Sequence, residues 1–230
     1  MYQPSFETRT GRITGAEALL RWQHPDLGLL QPAEFIPYAE ESGVILPLSG
    51  WVLRQACSQA SAWEKDGLPA LRMVVNLTAH QFSDPHLITD AIDILDDINF
   101  APEPLELDIT ESMMLFDRAR ILKILRSLKA KKIHVALDDF GIGYSSLSHL
   151  QEFPVNVVKI ARSIIRNVPG DYVNDAVTES IIAAGKKLHI HVVAKGVETA
   201  TQVAFLRQHR CDNMQGFFSA SHSKRMILRS

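Results

Sequence analysis

The stretch HVALDD, residues 134–139, decides how the rest of the sequence is interpreted. Alternation along a strand puts Val135 and Leu137 on one face, where they suit packing against helices, and puts Ala136 and Asp138 on the other. The stretch is therefore predicted to be a strand that ends in two adjacent aspartates, one of which points inward beside a small side chain. Functional groups of α/β folds are typically carried at such strand ends.

Similar short apolar runs recur on both sides of this strand, and helix-like segments separate them. Predicted strands cover residues 13–21, 73–78, 105–110, 134–140, 155–161 and 189–197. Predicted helices cover residues 49–64, 87–97, 118–131 and 175–188. Alternation of strand and helix indicates an α/β fold with a mostly parallel sheet. A chain of 230 residues with 46% hydrophobic content can bury one large core, so we expect a single domain over residues 1–230.

Composition excludes several classes of function. The chain carries 24 Lys plus Arg against 26 Asp plus Glu, a net charge of −2, so no basic field favours a nucleic-acid polymer as partner. Cys57 and Cys211 are far apart and lack the spacing of a metal site. No stretch approaches the roughly 20 apolar residues that span a bilayer. We expect a cytoplasmic domain without membrane contact.

Polar residues close or follow five of the predicted strands. In a barrel of parallel strands these ends converge on one mouth, so the following side chains are expected to lie together: Asn76, Glu111, Asp138, Asp139, Lys159 and Lys195. Strand alternation puts Asn76, Asp138, Lys159 and Lys195 on the inward face, whereas Glu111 shares a face with the outward Leu107 and Ile109. That strand must therefore bend or finish near Thr110.

The acidic and amide members of this set suggest metal chemistry. Carboxylate and amide oxygens suit Mg²⁺ or Mn²⁺, and the candidate ligands are Glu17, Asn76, Glu111, Asp138 and Asp139. Two such cations about 4 Å apart could activate water against a phosphodiester, with Lys159 adding positive charge. The alternative is that each acid forms an ordinary surface ion pair or helix cap.

A family resemblance runs through nearly the whole chain. The segments YQP, GAEALLRW, PAEFIPYAEESG, VNLTAHQF, DITES, ALDDFGIGYSSLSHL, VVKIARS, GVET and MQGFF resemble the EAL-domain family, in order. The resemblance implies a TIM-like (β/α)8 barrel with one antiparallel strand. It also implies cyclic di-GMP as substrate, which active members hydrolyse to the linear dinucleotide pGpG with two Mg²⁺ or Mn²⁺ ions.

Roles follow from matching positions in the family pattern. Glu17, Asn76, Glu111 and Asp138 resemble ligands of the first metal, while Asp138 bridges to a second metal that Asp139 holds. The resemblance assigns catalytic positions to Lys159, to Glu198 and to Lys195, where the family has Glu. It assigns substrate-binding positions to Gln3, Arg21 and Gln215.

Three substitutions depart from the pattern. Lys195 replaces a carboxylate beside the second metal, and each like-charge contact costs roughly 4 kcal/mol at about 4 Å and an effective dielectric near 20. Ala161 replaces an aspartate two residues after Lys159, so Lys159 is expected to lose one partner. Ile142 replaces a threonine in the loop that relatives use for dimer contacts. The chain also starts almost on its first strand and ends in SASHSKRMILRS, so the barrel could be incomplete at both termini, with an open sheet edge.

Three functions remain open at this point. The first is a cyclic di-GMP phosphodiesterase with weakened turnover, and the second is a degenerate domain that binds the nucleotide as a receptor. The third is a protein-interaction module that has lost the nucleotide. The resemblance further implies a homodimer and a regulatory or GGDEF-type domain in a parent chain.

Overall fold

Eight strands wind around a common axis in the computed structural model, which describes residues 1–115, 117–142 and 147–216. The barrel strands are β1 (Tyr2–Glu7), β2 (Ile13–Ala18), β5 (Arg72–Asn76), β6 (Leu105–Thr110), β7 (His134–Phe140), β8 (Val157–Ile160), β9 (His191–Lys195) and β10 (Asn213–Gln215). Strands β3 (Trp22–His24) and β4 (Gly28–Leu30) form a separate hairpin beside the barrel.

The sheet closes through its two chain-terminal strands. The order around the barrel is β1, β10, β9, β8, β7, β6, β5, β2, with β1 antiparallel to both of its neighbours and every other pair parallel. The predicted barrel with one antiparallel strand is thereby confirmed. The open edge expected from the unusual ends is not found, because the three residues of β10 suffice to pair β9 with β1. The tail from residue 217 onward lies outside the described residues.

Helices follow most of the strands and cover the barrel. Their bounds are α1 (Pro32–Glu41), α2 (Ile45–Lys65), α3 (Ala79–Phe82), α4 (Leu87–Asp97), a 3₁₀ helix (Glu111–Leu115), α5 (Arg118–Ala130), α6 (Leu147–Glu152), α7 (Arg162–Ile165), α8 (Tyr172–Leu188) and α9 (Ala200–Gln208). None of those in the described ranges combines the length and the apolar character needed to cross a bilayer.

The buried apolar side chains form two clusters on opposite faces of the strands, as strand alternation predicts. Val135 and Leu137 belong to the large core between the strands and the helices. Ala136 packs instead with Val157 and Val193 in a small cluster inside the barrel. Small and β-branched side chains at this inner layer leave room for polar groups above and below it.

Gly185 of α8 is required where this helix packs on β9. A Cβ atom at this position would lie 2.3 Å from Val192 Cγ2 and 3.0 Å from the carbonyl oxygen of Ile190. We expect Gly185→Ala to lower the free energy of unfolding by about 1–3 kcal/mol, because overpacking forces helix and strand apart.

The matched control is another helical glycine, Gly50 of α2. Its nearest neighbour to an added Cβ is Ile94 Cδ1 at 3.5 Å, an ordinary contact. Gly50→Ala should therefore stabilise the chain by about 0.5–1 kcal/mol, the usual gain for alanine within a helix. Urea unfolding followed by circular dichroism measures both changes, and equal effects of the two substitutions would contradict the packing argument.

Candidate functional site

A hydrogen-bonded cluster lies inside the barrel at the C-terminal ends of its parallel strands. The buried carboxylate of Glu17 accepts a hydrogen bond from Asn76 Nδ2 at 2.8 Å and another from Gln215 Nε2 at 2.7 Å. Gln3 pairs directly opposite Glu17 across β1 and β2, and residues opposite each other in an antiparallel pair share a face. Four predicted site residues from four strands are thus brought together.

The two aspartates of β7 lie in an irregular part of the strand and differ in exposure. The register with β8 shifts between Leu137 and Phe140, and Asp139 has a left-handed φ of 51°. Asp138 is buried and accepts a hydrogen bond from the Asp139 backbone N–H at 2.8 Å. The Asp139 side chain is 52% exposed at the mouth. One carboxylate therefore faces the interior and the other faces solvent.

Lys195 forms a close ion pair with this aspartate pair. Its Nζ lies 2.7 Å and 2.6 Å from the two carboxylate oxygens of Asp138, and 3.4 Å from Asp139 Oδ1. Burial acts to lower the pKa of the Lys195 ammonium, but the Asp138 charge, the hydrogen bond to it and the Asp139 charge raise this pKa overall. Lys195 is thus held in its charged form against the carboxylate that the family pattern assigns as the bridging metal ligand.

Lys159 lies deeper in the barrel between two acids of β6. Its Nζ is 2.7 Å from Asp108 Oδ2 and 2.9 Å from Glu106 Oε1, and all three side chains are buried. Glu106 also pairs with Arg72 at 3.3 Å. Lys159 is paired although Ala161 removes the partner that the family pattern would supply, because strand alternation on β6 provides two inward carboxylates.

Asp108 is a site residue that sequence reasoning missed. Burial raises the pKa of Asp108 well above its ordinary value, more strongly than Lys159 lowers it, and the charges of Glu106, Asp138 and Glu17 raise it further. Its Oδ1 is buried without a hydrogen-bond partner among the described residues. The alternation that puts Leu107 and Ile109 outward puts Asp108 inward, and this signal was present in the sequence.

Glu111 is the candidate ligand that follows β6. It is the first residue of the 3₁₀ helix that follows β6, and it is half-buried. The predicted end of the strand near Thr110 is confirmed, since β6 finishes at that residue. Glu111 therefore stands at the C-terminal end of β6, where the loops of a barrel build its mouth, while Asp108 lies within the strand.

Three further predicted residues lie at the edges of the mouth. Arg21 follows β2 and donates from Nη1 to the Leu20 carbonyl oxygen at 2.6 Å. Glu198 follows β9 and pairs with Arg162 at 2.7 Å, both side chains being exposed. Ile142 follows β7 and is largely exposed, while the loop at residues 143–146 lies outside the described residues.

These contacts test whether the residues fit the two divalent cations that the resemblance implies. Both oxygens of Asp138 are taken by the Lys195 ammonium, so a cation bridged by Asp138 would meet a like charge. Across the described ranges, no group of three or more His, Cys, Asp or Glu side chains is arranged to hold a metal ion. The described residues as placed do not fit a two-cation centre bridged by Asp138, because the Lys195 ammonium occupies both of its oxygens.

Comparison with known proteins decides the family. The EAL domain matches residues 1–221. The chain belongs to the EAL-domain family. An uncharacterized signaling protein of Caulobacter vibrioides is 44% identical over 94% of this chain and 26% of its own length. The cyclic di-GMP phosphodiesterase PA2567 of Pseudomonas aeruginosa is 36% identical over 96% of this chain and 37% of its own length.

Solved EAL structures agree with the observed barrel. The structure titled PaMucR phosphodiesterase, c-di-GMP complex, has a TM-score of 0.89 and 38% identity, and the match covers 95% of this chain and 88% of that one. This EAL chain spans about a quarter to somewhat over a third of the two curated relatives described above. Activities of those whole proteins therefore come to this chain only as proposals.

Proposed function

We propose that this chain is a cyclic di-GMP-binding EAL domain in which Lys195 suppresses hydrolysis, so that it acts as a receptor for the nucleotide. The observation that carries this proposal is the bidentate Lys195–Asp138 ion pair at 2.6 Å and 2.7 Å. An ammonium can neutralise Asp138 and attract a phosphate, but it cannot generate a metal-bound hydroxide. Binding and turnover are therefore separated at a single residue.

The remaining polar groups at the mouth support nucleotide binding. Gln3 and Gln215 present amides around the buried Glu17, and amides can donate to and accept from a guanine edge or a phosphate. The Arg21 guanidinium, beside the end of β2, suits bidentate contact with a phosphate or with a guanine. We assign Gln3, Arg21 and Gln215 to substrate binding.

A second candidate is a phosphodiesterase with weak turnover. It is favoured by Glu17, Asn76 and Asp138, which remain at one mouth, and by the buried unpartnered oxygen of Asp108 beside them. In that case Mg²⁺ or Mn²⁺ would be held by Glu17, Asn76 and Asp138 together with Glu111 and Asp139, the ligands that the resemblance assigns. The metal would supply a nucleophile at neutral pH. Lys159 and Glu198 would then keep the catalytic assignments that the resemblance gives them.

The parent chain and the oligomeric state of the domain are also proposals. We infer one EAL domain over residues 1–230, in a longer cytoplasmic parent chain with a regulatory or GGDEF-type domain, because the relatives are far longer than the match. The exposed Ile142 after β7 supports a homodimer contact at that loop. Sedimentation of the domain at increasing concentration tests this dimer.

Two measurements on the same preparation test the function. We expect calorimetric titration with cyclic di-GMP to show binding in the micromolar range or tighter. We expect incubation with cyclic di-GMP and Mn²⁺ to yield linear pGpG far more slowly than an active EAL phosphodiesterase assayed beside it. Rapid pGpG formation would select the second candidate. Absence of binding at high micromolar nucleotide would select a protein-interaction module instead.

A further inference from the structure

The Lys195 ammonium lies where its charge compensates two acids of the mouth. It is within 2.7 Å of both Asp138 oxygens and 3.4 Å from Asp139 Oδ1. Without a cation these carboxylates would repel the two phosphates of a cyclic dinucleotide. Lys195 therefore already supplies the positive charge that such a ligand requires.

The contacts of Lys195 leave one direction open for a ligand. An ammonium has three N–H donors. Two are used in short contacts with Asp138, whereas the contact to the half-exposed Asp139 is longer, at 3.4 Å. The Lys195 side chain is 20% exposed, so it is reached from the mouth and not only from the interior. A phosphate oxygen can therefore replace Asp139 on the third donor while Asp138 keeps the ammonium in place.

We propose that Lys195 is the resident counter-ion of this site and a direct phosphate ligand, and that cyclic di-GMP binds here without divalent cations. The proposal deepens the proposed function and rests on it. It follows from the misfit of the acids to a two-cation centre, since the ammonium holds the Asp138 oxygens that a bridging cation would need. Cation-independent binding separates this chain from a domain whose nucleotide affinity depends on metal ions.

Calorimetric titration with cyclic di-GMP, in EDTA and in Ca²⁺, tests the proposal. For the unmodified chain the two Kd values should agree within about twofold. Lys195→Met should weaken binding in EDTA about tenfold or more, the usual effect of losing a hydrogen bond to a charged group. Lys195→Arg keeps the charge and should stay within about threefold of the unmodified chain. Lys195→Glu should bind in Ca²⁺ and lose most of its affinity in EDTA.

A surface lysine provides the control. Urea unfolding curves show whether each variant is folded. Lys132 pairs with Glu103 on the exterior of the barrel, so Lys132→Met should leave both Kd values unchanged. Each variant is first shown to unfold cooperatively in urea, and Lys195→Arg keeps the test meaningful if Lys195→Met does not fold.

Failure of the inference and failure of the proposed function give different results. If the unmodified chain binds cyclic di-GMP only when Ca²⁺ is present, or if Lys195→Met binds normally in EDTA, the inference is overturned and nucleotide binding stands. If the unmodified chain binds under neither condition, the proposed function itself is overturned.

Discussion

Lys195→Glu should raise the Mn²⁺-dependent rate of cyclic di-GMP hydrolysis about 100-fold, the size of effect seen when groups supporting a metal site are changed. In the present chain the Lys195 ammonium binds both Asp138 oxygens and contacts Asp139. Replacement by glutamate removes a positive charge and adds a negative one at the same position. The Asp138 oxygens are then available to cations, and a further carboxylate faces them.

The physical basis is the sign of the charge beside the cation. A like-charge contact at about 4 Å costs roughly 4 kcal/mol at an effective dielectric near 20, and an opposite charge gains a similar amount before screening. Removal of the ammonium alone, in Lys195→Met, should therefore recover only part of the activity, about tenfold. The ordering of glutamate above methionine above lysine separates charge reversal from simple loss of a blocking side chain.

Formation of pGpG at saturating nucleotide, followed over a Mn²⁺ titration, measures this effect. Lys132→Glu provides the same charge change on an exposed side chain and should leave the rate unaltered. If Lys195→Glu binds the nucleotide and takes up Mn²⁺ but hydrolyses no faster than the unmodified chain, the suppressing role assigned to Lys195 is wrong.

Strand alternation predicts much of the candidate site from the sequence. The inward positions of Asp138, Lys159 and Lys195 follow from a period of two along predicted strands, and the ends of parallel strands in a closed barrel meet at one mouth. The same rule shows that Glu111 would face outward if β6 continued through it. Applied one step further it would have selected Asp108, which occupies an inward position on the same strand.

The ion-pair partners and the closure of the barrel could not be predicted, because they depend on contacts between segments that are distant in the chain. The partners of Lys159 come from β6, about fifty positions earlier in the chain, and no local pattern pairs them. The contact of Lys195 with both oxygens of Asp138 joins side chains from β9 and β7, and no local pattern predicts its distance. Closure by the short β10 likewise depends on its fit between β9 and β1.

Lys159→Met should lower the free energy of unfolding by about 3–5 kcal/mol, the usual cost of removing one partner of a buried ion pair. The ammonium lies within 2.9 Å of Glu106 and 2.7 Å of Asp108, and its side chain is 4% exposed. Methionine fills a similar volume but leaves two buried carboxylates facing each other. Urea unfolding at pH 7 measures the loss.

Two variants distinguish an electrostatic cause from a packing defect. Lys132→Met breaks a pair of similar length, 2.8 Å, on exposed side chains, and should not shift the urea midpoint measurably. Lys159→Met with Asp108→Asn leaves Glu106 paired with Arg72 and should recover more than half of the lost stability. Equal destabilisation by the single and double variants would contradict the electrostatic account.

The cost of Lys159→Met should grow with pH. In the unmodified chain burial raises the pKa of Asp108, while Lys159 and Arg72 outweigh burial and lower the pKa of Glu106. Once the ammonium is gone, burial and mutual repulsion raise the pKa of both carboxyls in the folded state above their unfolded values. Such groups favour folding at low pH, and this contribution is lost as pH rises through the raised folded pKa. The stability gap between the unmodified chain and Lys159→Met should therefore be smaller at pH 5 than at pH 8, and a gap independent of pH would mean that the two acids are not left charged and buried.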